Sequence, residues 1–133
     1  MYLIDTNVVS DAYKGVGEPK GWLAGVESQH LFLSVITIGE IERGVSISFA
    51  RSPRKSTLLA EWLKELRSEH AGRIIEVTED IAIQWGRISM TKTRGDADGL
   101  IAATALVHDL TLVTRNVADF ADTGVRLFNP WQD

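Results

Sequence analysis

Acidic side chains in this chain follow short apolar runs, at positions where they could share a bound metal ion. Asp5 comes directly after the first apolar run, and Glu40 stands early in the helix predicted after the second. Asp98 opens a further predicted helix, whereas Asn116 and Asp119 come just after a fourth apolar run. Carboxylates held together repel one another, and hard oxygen ligands of this kind suit Mg²⁺ or Mn²⁺. A cation held this way can activate water and clamp a phosphodiester during in-line displacement, and the sequence offers no other obvious nucleophile.

Asp98 differs from the other acids because small apolar residues occupy its face of the predicted helix. At about 100° per residue, that face also carries Ile101, Ala102 and Ala105. A buried lone carboxylate is costly unless a counter-charge, hydrogen bonds or a metal ion compensates it. The alternative is an acidic N-cap with no further role. Asp96 points about 200° away around the helix and lacks those apolar neighbours, which favours a solvated position.

The predicted elements that position these acids alternate between strands and helices. Apolar runs predict strands at 2–5, 31–35, 74–77, 110–114 and 125–128. Helices are predicted at 38–49, 56–70, 79–90 and from Asp98 onward, with a turn or short helix at 116–121. Strands without polar alternation, separated by helices, are typical of an α/β fold with a single doubly wound parallel sheet covered by helices on both faces. In such a three-layer domain, ligands bind beyond the carboxyl ends of the strands, which is where the acids stand.

Size and composition are those of one globular domain spanning 1–133. Of the residues, 44% are hydrophobic and 24% are charged, as in ordinary soluble proteins. The absence of cysteine excludes disulfides, thiolate nucleophiles and cysteine-based metal sites. No apolar run approaches the roughly 20 residues that span a bilayer, and the first residues lack a basic signal segment. We therefore expect a cytoplasmic protein without membrane contact.

The net charge of −4 gives no general attraction for nucleic acid, although cations bound to clustered acids would change the local sign. Basic residues gather at Arg51, Arg54 and Lys55 and again at Lys92 and Arg94. Such runs are more often a solvated face than a phosphate track. Tryptophans more often pack in the core or at an interface than stack on bases. We therefore expect packing in the core or at an interface for the four tryptophans, Trp22, Trp62, Trp85 and Trp131.

Two of the acidic positions have competitors nearby. Glu42 flanks the apolar face around Ile41 more closely than Glu40 does, while Glu40 falls on a second, partly apolar face. Helical periodicity therefore leaves both glutamates open. Asn116 and Asp119 compete for the position after the fourth strand, and Asp119 is preferred because only its side chain is charged.

Four segments and a short ending form a recognisable series along the chain. They are LIDTNVVS at 3–10, LSVITIGE at 33–40, DGLIAATA at 98–105, TRNVADF at 114–120 and FNPW at 128–131. The series resembles the PIN-domain ribonucleases, specifically the VapC-like toxins of bacterial type II toxin–antitoxin modules, close to their FitB-like branch. Each segment is moderately specific by itself. Four in the right order, extending over nearly the whole chain, are a strong signal.

The resemblance implies a PIN-like fold and a Mg²⁺- or Mn²⁺-dependent endoribonuclease. The implied metal ligands are Asp5, Glu40, Asp98 and Asp119. The resemblance thereby favours Glu40 over Glu42. Asn116 and Thr114 would lie beside the metal, with Asn116 orienting water or a ligand, and Thr6 would donate a hydrogen bond to a ligand.

The resemblance also implies the partners. They are an RNA substrate such as tRNA or ribosomal RNA, a VapB-like antitoxin that blocks the site, and a second copy of the chain in a homodimer. From the residues themselves, the apolar stretches at 45–49 and 58–66 are the candidate contact surface, although such stripes more often belong to the core.

One segment of the chain departs from the family pattern. The connection 91–97 is shorter than in relatives, which should tighten one wall of the cleft or bring Lys92 and Arg94 nearer the substrate.

Two other functions also fit parts of the sequence. A catalytically silent PIN-fold binding module would keep the fold without the activity. A phosphoacceptor receiver domain also carries acids at strand ends, but it needs an Asp after its third strand and a late Lys. Here 76–79 contains no Asp, and no Lys follows residue 92.

Overall fold

The computed structural model describes residues 1–15, 18–88 and 95–131. Within these ranges the strands are β1 (Tyr2–Ile4), β2 (Leu31–Ser34), β3 (Ile74–Ile75), β4 (Thr111–Val113) and β5 (Leu127–Phe128). They form one parallel sheet in the order β3-β2-β1-β4-β5. The chain leaves β1 toward β2 and β3 and later returns to the other side of β1 at β4. This reversal is the topological switch point of a doubly wound fold, where a crevice opens beyond the strand ends.

Helices connect the strands, and local sequence sets where several of them begin. In the described ranges they are α1 (Thr6–Tyr13), α2 (Glu18–Ala24), α3 (Val35–Arg51), α4 (Pro53–Glu69), α5 (Glu79–Ile88), α6 (Asp96–Val107) and α7 (Val117–Phe120), with a 3₁₀ turn at Ser28–His30. The Asp5 carboxylate caps α1, the Ser34 hydroxyl caps α3, and Pro53 occupies the first turn of α4. Among these helices, none is long and apolar enough to cross a membrane.

The predicted strands and helices are confirmed in type and order, but two differences matter for the site. The sequence pattern predicts neither α1 nor α2, although α1 begins directly after β1. The helix predicted to open at Asp98 begins at Asp96 instead. The reason is that Gly95 adopts the extended N-cap conformation and its carbonyl accepts the Gly99 N–H at 3.0 Å. Asp98 is therefore the third residue of α6 and not its cap.

Apolar clusters cover both faces of the sheet, which confirms the three-layer α/β architecture. Consecutive strand residues point to opposite faces, and Leu3 and Ile4 of β1 accordingly belong to different clusters. The first cluster, with α5 and α6, includes Leu3, Ile81, Ile101, Leu112 and Phe120. The second, with α1, α3 and α4, includes Ile4, Val8, Leu33, Ile41 and Leu63. Each fully buried side chain of this size contributes roughly 1.5–3 kcal/mol, so β1 is a rigid support for the residue that follows it.

The middle of α6 is buried on nearly every side. Ile101, Ala102 and Ala105 of the predicted inner face are buried as expected, and so are Ala103 and Thr104. Small side chains allow the helix to lie close to the elements around it. Burial of the helix therefore does not by itself single out the face that carries Asp98.

The tryptophans of the described ranges all pack against the apolar clusters, as the sequence predicts. Trp85 packs on the first cluster, and Trp22, Trp62 and Trp131 pack on the second.

Candidate metal-binding active site

Asp5 lies at the switch point, in the first position after β1. In the parallel pairing of β1 with β4, Ile4 lies opposite Val113. The residues that follow the two strands, Asp5 and Thr114, are therefore neighbours. The Asp5 side chain is buried, with 4% of the residue exposed. Its Oδ1 accepts the Thr6 backbone N–H at 2.8 Å, and its Oδ2 accepts the Thr114 hydroxyl at 2.8 Å. Both carboxylate oxygens are thus oriented by short hydrogen bonds.

The pKa of Asp5 is raised from 3.8 to about 6. Burial is the largest cause, because it disfavours the charged form. The hydrogen bonds from Thr114 and Thr6 lower the pKa and offset part of this effect, whereas the negative charges of Asp98 and Glu40 raise it further. The electrostatic coupling shows that the fold brings these three carboxylates to one region.

Glu40 is connected to Asp5 through Thr6. The Glu40 Oε1 accepts the Thr6 hydroxyl at 2.6 Å, and the hydroxyls of Thr6 and Thr37 lie 3.0 Å apart. Thr37 is fully buried, so it holds this small network against the core. Glu40 and Glu42 are both exposed, but only the charge of Glu40 is among the causes that raise the pKa of Asp5. The hydrogen bond to Thr6 and the effect on Asp5 therefore favour Glu40 over Glu42 as the glutamate of the site. Helical periodicity alone does not decide between the two.

Asp98 and Asp96 differ in the way that the helical wheel predicts. Asp96 is exposed at the first position of α6, while Asp98 is half-buried and its charge acts on Asp5. Asp98 also stands in the first turn of α6, where the partial positive charge of a helix N-terminus stabilises an anion.

Asn116 and Asp119 lie at the margin of the site. The Asn116 backbone N–H donates to the Thr114 hydroxyl at 3.1 Å, and Thr114 in turn donates to Asp5. The Asp119 backbone N–H donates to the Asn116 carbonyl at 3.0 Å. Both side chains are exposed, and the charge of Asp119 is not among the causes that act on Asp5. The structure therefore brings Asp5, Glu40 and Asp98 to one region and leaves Asp119 at its margin, while the metal-binding role of all four stays a prediction.

The chemistry of these three residues fits a hard divalent cation. They offer carboxylate oxygens of like charge, and the raised pKa of Asp5 shows that their repulsion and its burial exceed the local compensation. Within the described ranges, no three acidic or histidine side chains are close enough to form a ready-made metal-binding group.

Sequence reasoning missed some polar residues around the site. Thr37 acts through a contact 31 residues along the chain from Thr6, which no local pattern reveals. The Asn7 amide oxygen is buried and has no hydrogen-bond partner among the described residues; its only sequence signal is its place two residues after Asp5. Arg115, next to Thr114, places its guanidinium against Trp131. Lys92 and Arg94, predicted to approach the substrate, lie outside the described residues, as does most of the connection 91–97.

Comparisons with known proteins bear on the fold and the family of the chain. Toxin FitB from Neisseria gonorrhoeae is 36% identical over 141 residues that cover 100% of both chains. VapC ribonuclease Y4jK from Sinorhizobium fredii is 31% identical over 142 residues, covering 99% of each chain. The crystal structure of FitAcB from Neisseria gonorrhoeae matches with a TM-score of 0.91 and 34% identity over 100% of both chains. A model of the PIN domain family matches residues 2–125, and with the acidic residues gathered beyond β1 this shows that the chain belongs to the PIN domain family.

Proposed function

We propose that this protein is the toxin of a type II toxin–antitoxin module and acts as a metal-dependent endoribonuclease. The observation that carries the proposal is the buried Asp5 carboxylate at the switch point, with its pKa raised and the charges of Glu40 and Asp98 acting on it. Relatives named as a toxin and as a ribonuclease, each aligned over nearly the whole chain, support the same conclusion.

The chain's own residues prepare the site for a cation and a phosphodiester. Thr114 and the Thr6 backbone fix the orientation of Asp5, and the Thr6 hydroxyl holds Glu40. A Mg²⁺ or Mn²⁺ ion held by Asp5, Glu40 and Asp98, with Asp119 as the proposed fourth ligand, would lower the pKa of a bound water and neutralise charge on the phosphate. Asn116, whose backbone N–H donates to the Thr114 hydroxyl, would orient water or a carboxylate with its side chain. Structured RNA such as tRNA or ribosomal RNA is the proposed substrate.

A cognate antitoxin is the protein partner, and a homodimer is proposed. The predicted contact surface at 45–49 and 58–66 is only partly available for either, since Leu63 and Leu66 belong to the core. The outer side of α3 and α4 does expose large apolar side chains, including Phe49 and Leu58. Exposed apolar side chains of this size are typical of contact surfaces when they are contiguous.

The sequence suggests two other functions, of which family membership excludes one. Membership of the PIN domain family contradicts the receiver-domain hypothesis. A catalytically silent PIN-fold module stays as the alternative, and an activity assay separates it from the proposed ribonuclease.

The test is RNA cleavage by the purified chain with Mg²⁺ or Mn²⁺, compared between Glu40→Gln and the matched control Glu42→Gln. We expect Glu40→Gln to lower the cleavage rate by at least about 100-fold, since even residues behind a metal ligand cost about 10–100-fold when changed. Glu42→Gln removes the same charge from the same helix at an exposed position and should leave the rate within about twofold, since an exposed charge away from the site contributes little.

Three results would contradict the proposal. A chain free of antitoxin that cleaves no RNA with either cation would indicate the silent module. Cleavage that persists after chelation would exclude the metal role. Equal cleavage rates for Glu40→Gln and Glu42→Gln would show that cleavage does not depend specifically on the Glu40 carboxylate.

A further inference from the structure

Arg115 lies immediately beyond the site, in the residue after Thr114. Its guanidinium carbon is 3.9 Å from the centroid of the Trp131 ring, and its Nη2 is 3.4 Å from the Asp11 Oδ2. Asp11 belongs to α1, less than two helical turns from the Asp5 cap. Even with both contacts, 51% of the Arg115 side chain is exposed. A cation is thus held against α1 and Trp131, one residue beyond Thr114, with about half of its side chain open.

The orientation of this guanidinium is fixed by several contacts. Trp131 packs on the second apolar cluster, so the ring beneath the guanidinium is itself anchored. The Trp131 backbone N–H donates to the Asn129 Oδ1 at 2.9 Å, and the Asn129 amide reaches the Arg115 carbonyl at 3.5 Å. A planar guanidinium stacked in this way loses little conformational freedom when it binds a ligand.

The charge arrangement favours an anionic ligand. The ion pair with Asp11, whose side chain is 21% exposed, is long at 3.4 Å and occupies one of several N–H donors on the half-exposed guanidinium. The remaining donors match the geometry of a phosphate group. RNA must approach carboxylates that repel it, and a cation held one residue beyond Thr114 would attract a phosphate that lies next to the site and not in it.

We propose that Arg115 is an RNA-binding residue, supported by Trp131, whose guanidinium contacts a backbone phosphate adjacent to the scissile one. The proposal rests on the ribonuclease function proposed above. The alternative is a purely structural role, in which Arg115 links α1 to the segment that carries Trp131.

The experiment measures binding of a labelled single-stranded RNA over a series of KCl concentrations. Asp5→Asn is present in every protein to prevent cleavage. Arg115→Gln should weaken binding and reduce the slope of log affinity against log salt by about 0.7, the value for one phosphate contact on a single strand. Arg115→Lys retains the charge and should keep most of the slope.

Arg126→Gln is the matched control. Arg126 is similarly exposed, at 59%, and pairs with an aspartate, Asp109, at 2.7 Å. It also bonds to Thr111 at the beginning of β4, the end of the strand away from Asp5. The control should leave the salt slope unchanged. In the protein with Asp5 intact, Arg115→Gln should raise KM for RNA cleavage more than it lowers kcat.

The possible outcomes separate the hypotheses. Equal salt slopes for the two glutamine variants would overturn the proposal in favour of a general charge effect. Unchanged RNA binding with lower unfolding stability would assign Arg115 a structural role, and unchanged RNA binding with weaker antitoxin binding would assign it to that interface. If the protein with Arg115 intact neither binds nor cleaves RNA, the proposed function fails and this inference with it.

Discussion

Replacing Asp98 by asparagine is expected to reduce metal-dependent RNA cleavage by at least about 100-fold and to leave the fold intact. The amide has the size of the carboxylate but cannot neutralise a cation. Because Asp98 is in the first turn of α6, losing its charge also costs about 0.3–1 kcal/mol of helix stabilisation. Initial rates with a labelled RNA and the midpoint of urea unfolding measure the two effects separately.

Asp96→Asn is the control for this variant. Asp96 is in the same first turn of α6, so the stability change should be similar, but its side chain is exposed. Its cleavage rate should therefore stay within about threefold of the unmodified protein, as expected for a surface substitution away from the site. If both variants lose activity equally, the loss comes from the helix terminus and not from a ligand role of Asp98.

The metal-free protein is expected to lose stability through Asp5 as pH rises from about 4 to 7. The carboxylate titrates near 3.8 when unfolded and at about 6 when folded, so in this window the folded state binds more protons. Stability contributed by the protonated form is complete below the unfolded pKa and is lost as pH rises through the folded one. A shift of this size corresponds to a loss on the order of 3 kcal/mol.

The comparison that isolates this effect is between the unmodified protein and Asp5→Asn, unfolded by urea with a chelator present. His70 acts in the opposite direction, because burial lowers its pKa and its contribution is lost as pH falls. Both proteins contain His70, so the difference in their unfolding free energies reports Asp5 alone. Asp5→Asn should gain stability relative to the unmodified protein as pH rises. A difference that does not change with pH would contradict the raised pKa.

Much of the site could be predicted because the relevant signals are local. Short apolar runs mark the strands, and parallel strands place the residues that follow them at one edge. This reasoning locates Asp5 beyond β1 and, with helical periodicity, separates Asp98 from Asp96. It misplaces the start of α6, since an extended glycine caps this helix and gives no side-chain signal.

Other features depend on contacts that sequence periodicity does not contain. The choice between Glu40 and Glu42 follows from a hydrogen bond to Thr6, 34 residues away. The position of Arg115 depends on an aromatic ring 16 residues later in the chain and on a carboxylate in an unpredicted helix. Asp119 lies on a four-residue helix with an exposed side chain, so packing does not fix its direction toward the site.

We propose that Asp5, Glu40 and Asp98 together hold a divalent cation. The most direct measurement is the anomalous difference density of crystals soaked with Mn²⁺. We expect a peak beyond the carboxyl end of β1, with the Asp5 and Asp98 carboxylates as ligands and Glu40 bound directly or through water. A peak elsewhere on the molecule, or no peak at saturating Mn²⁺, would contradict it.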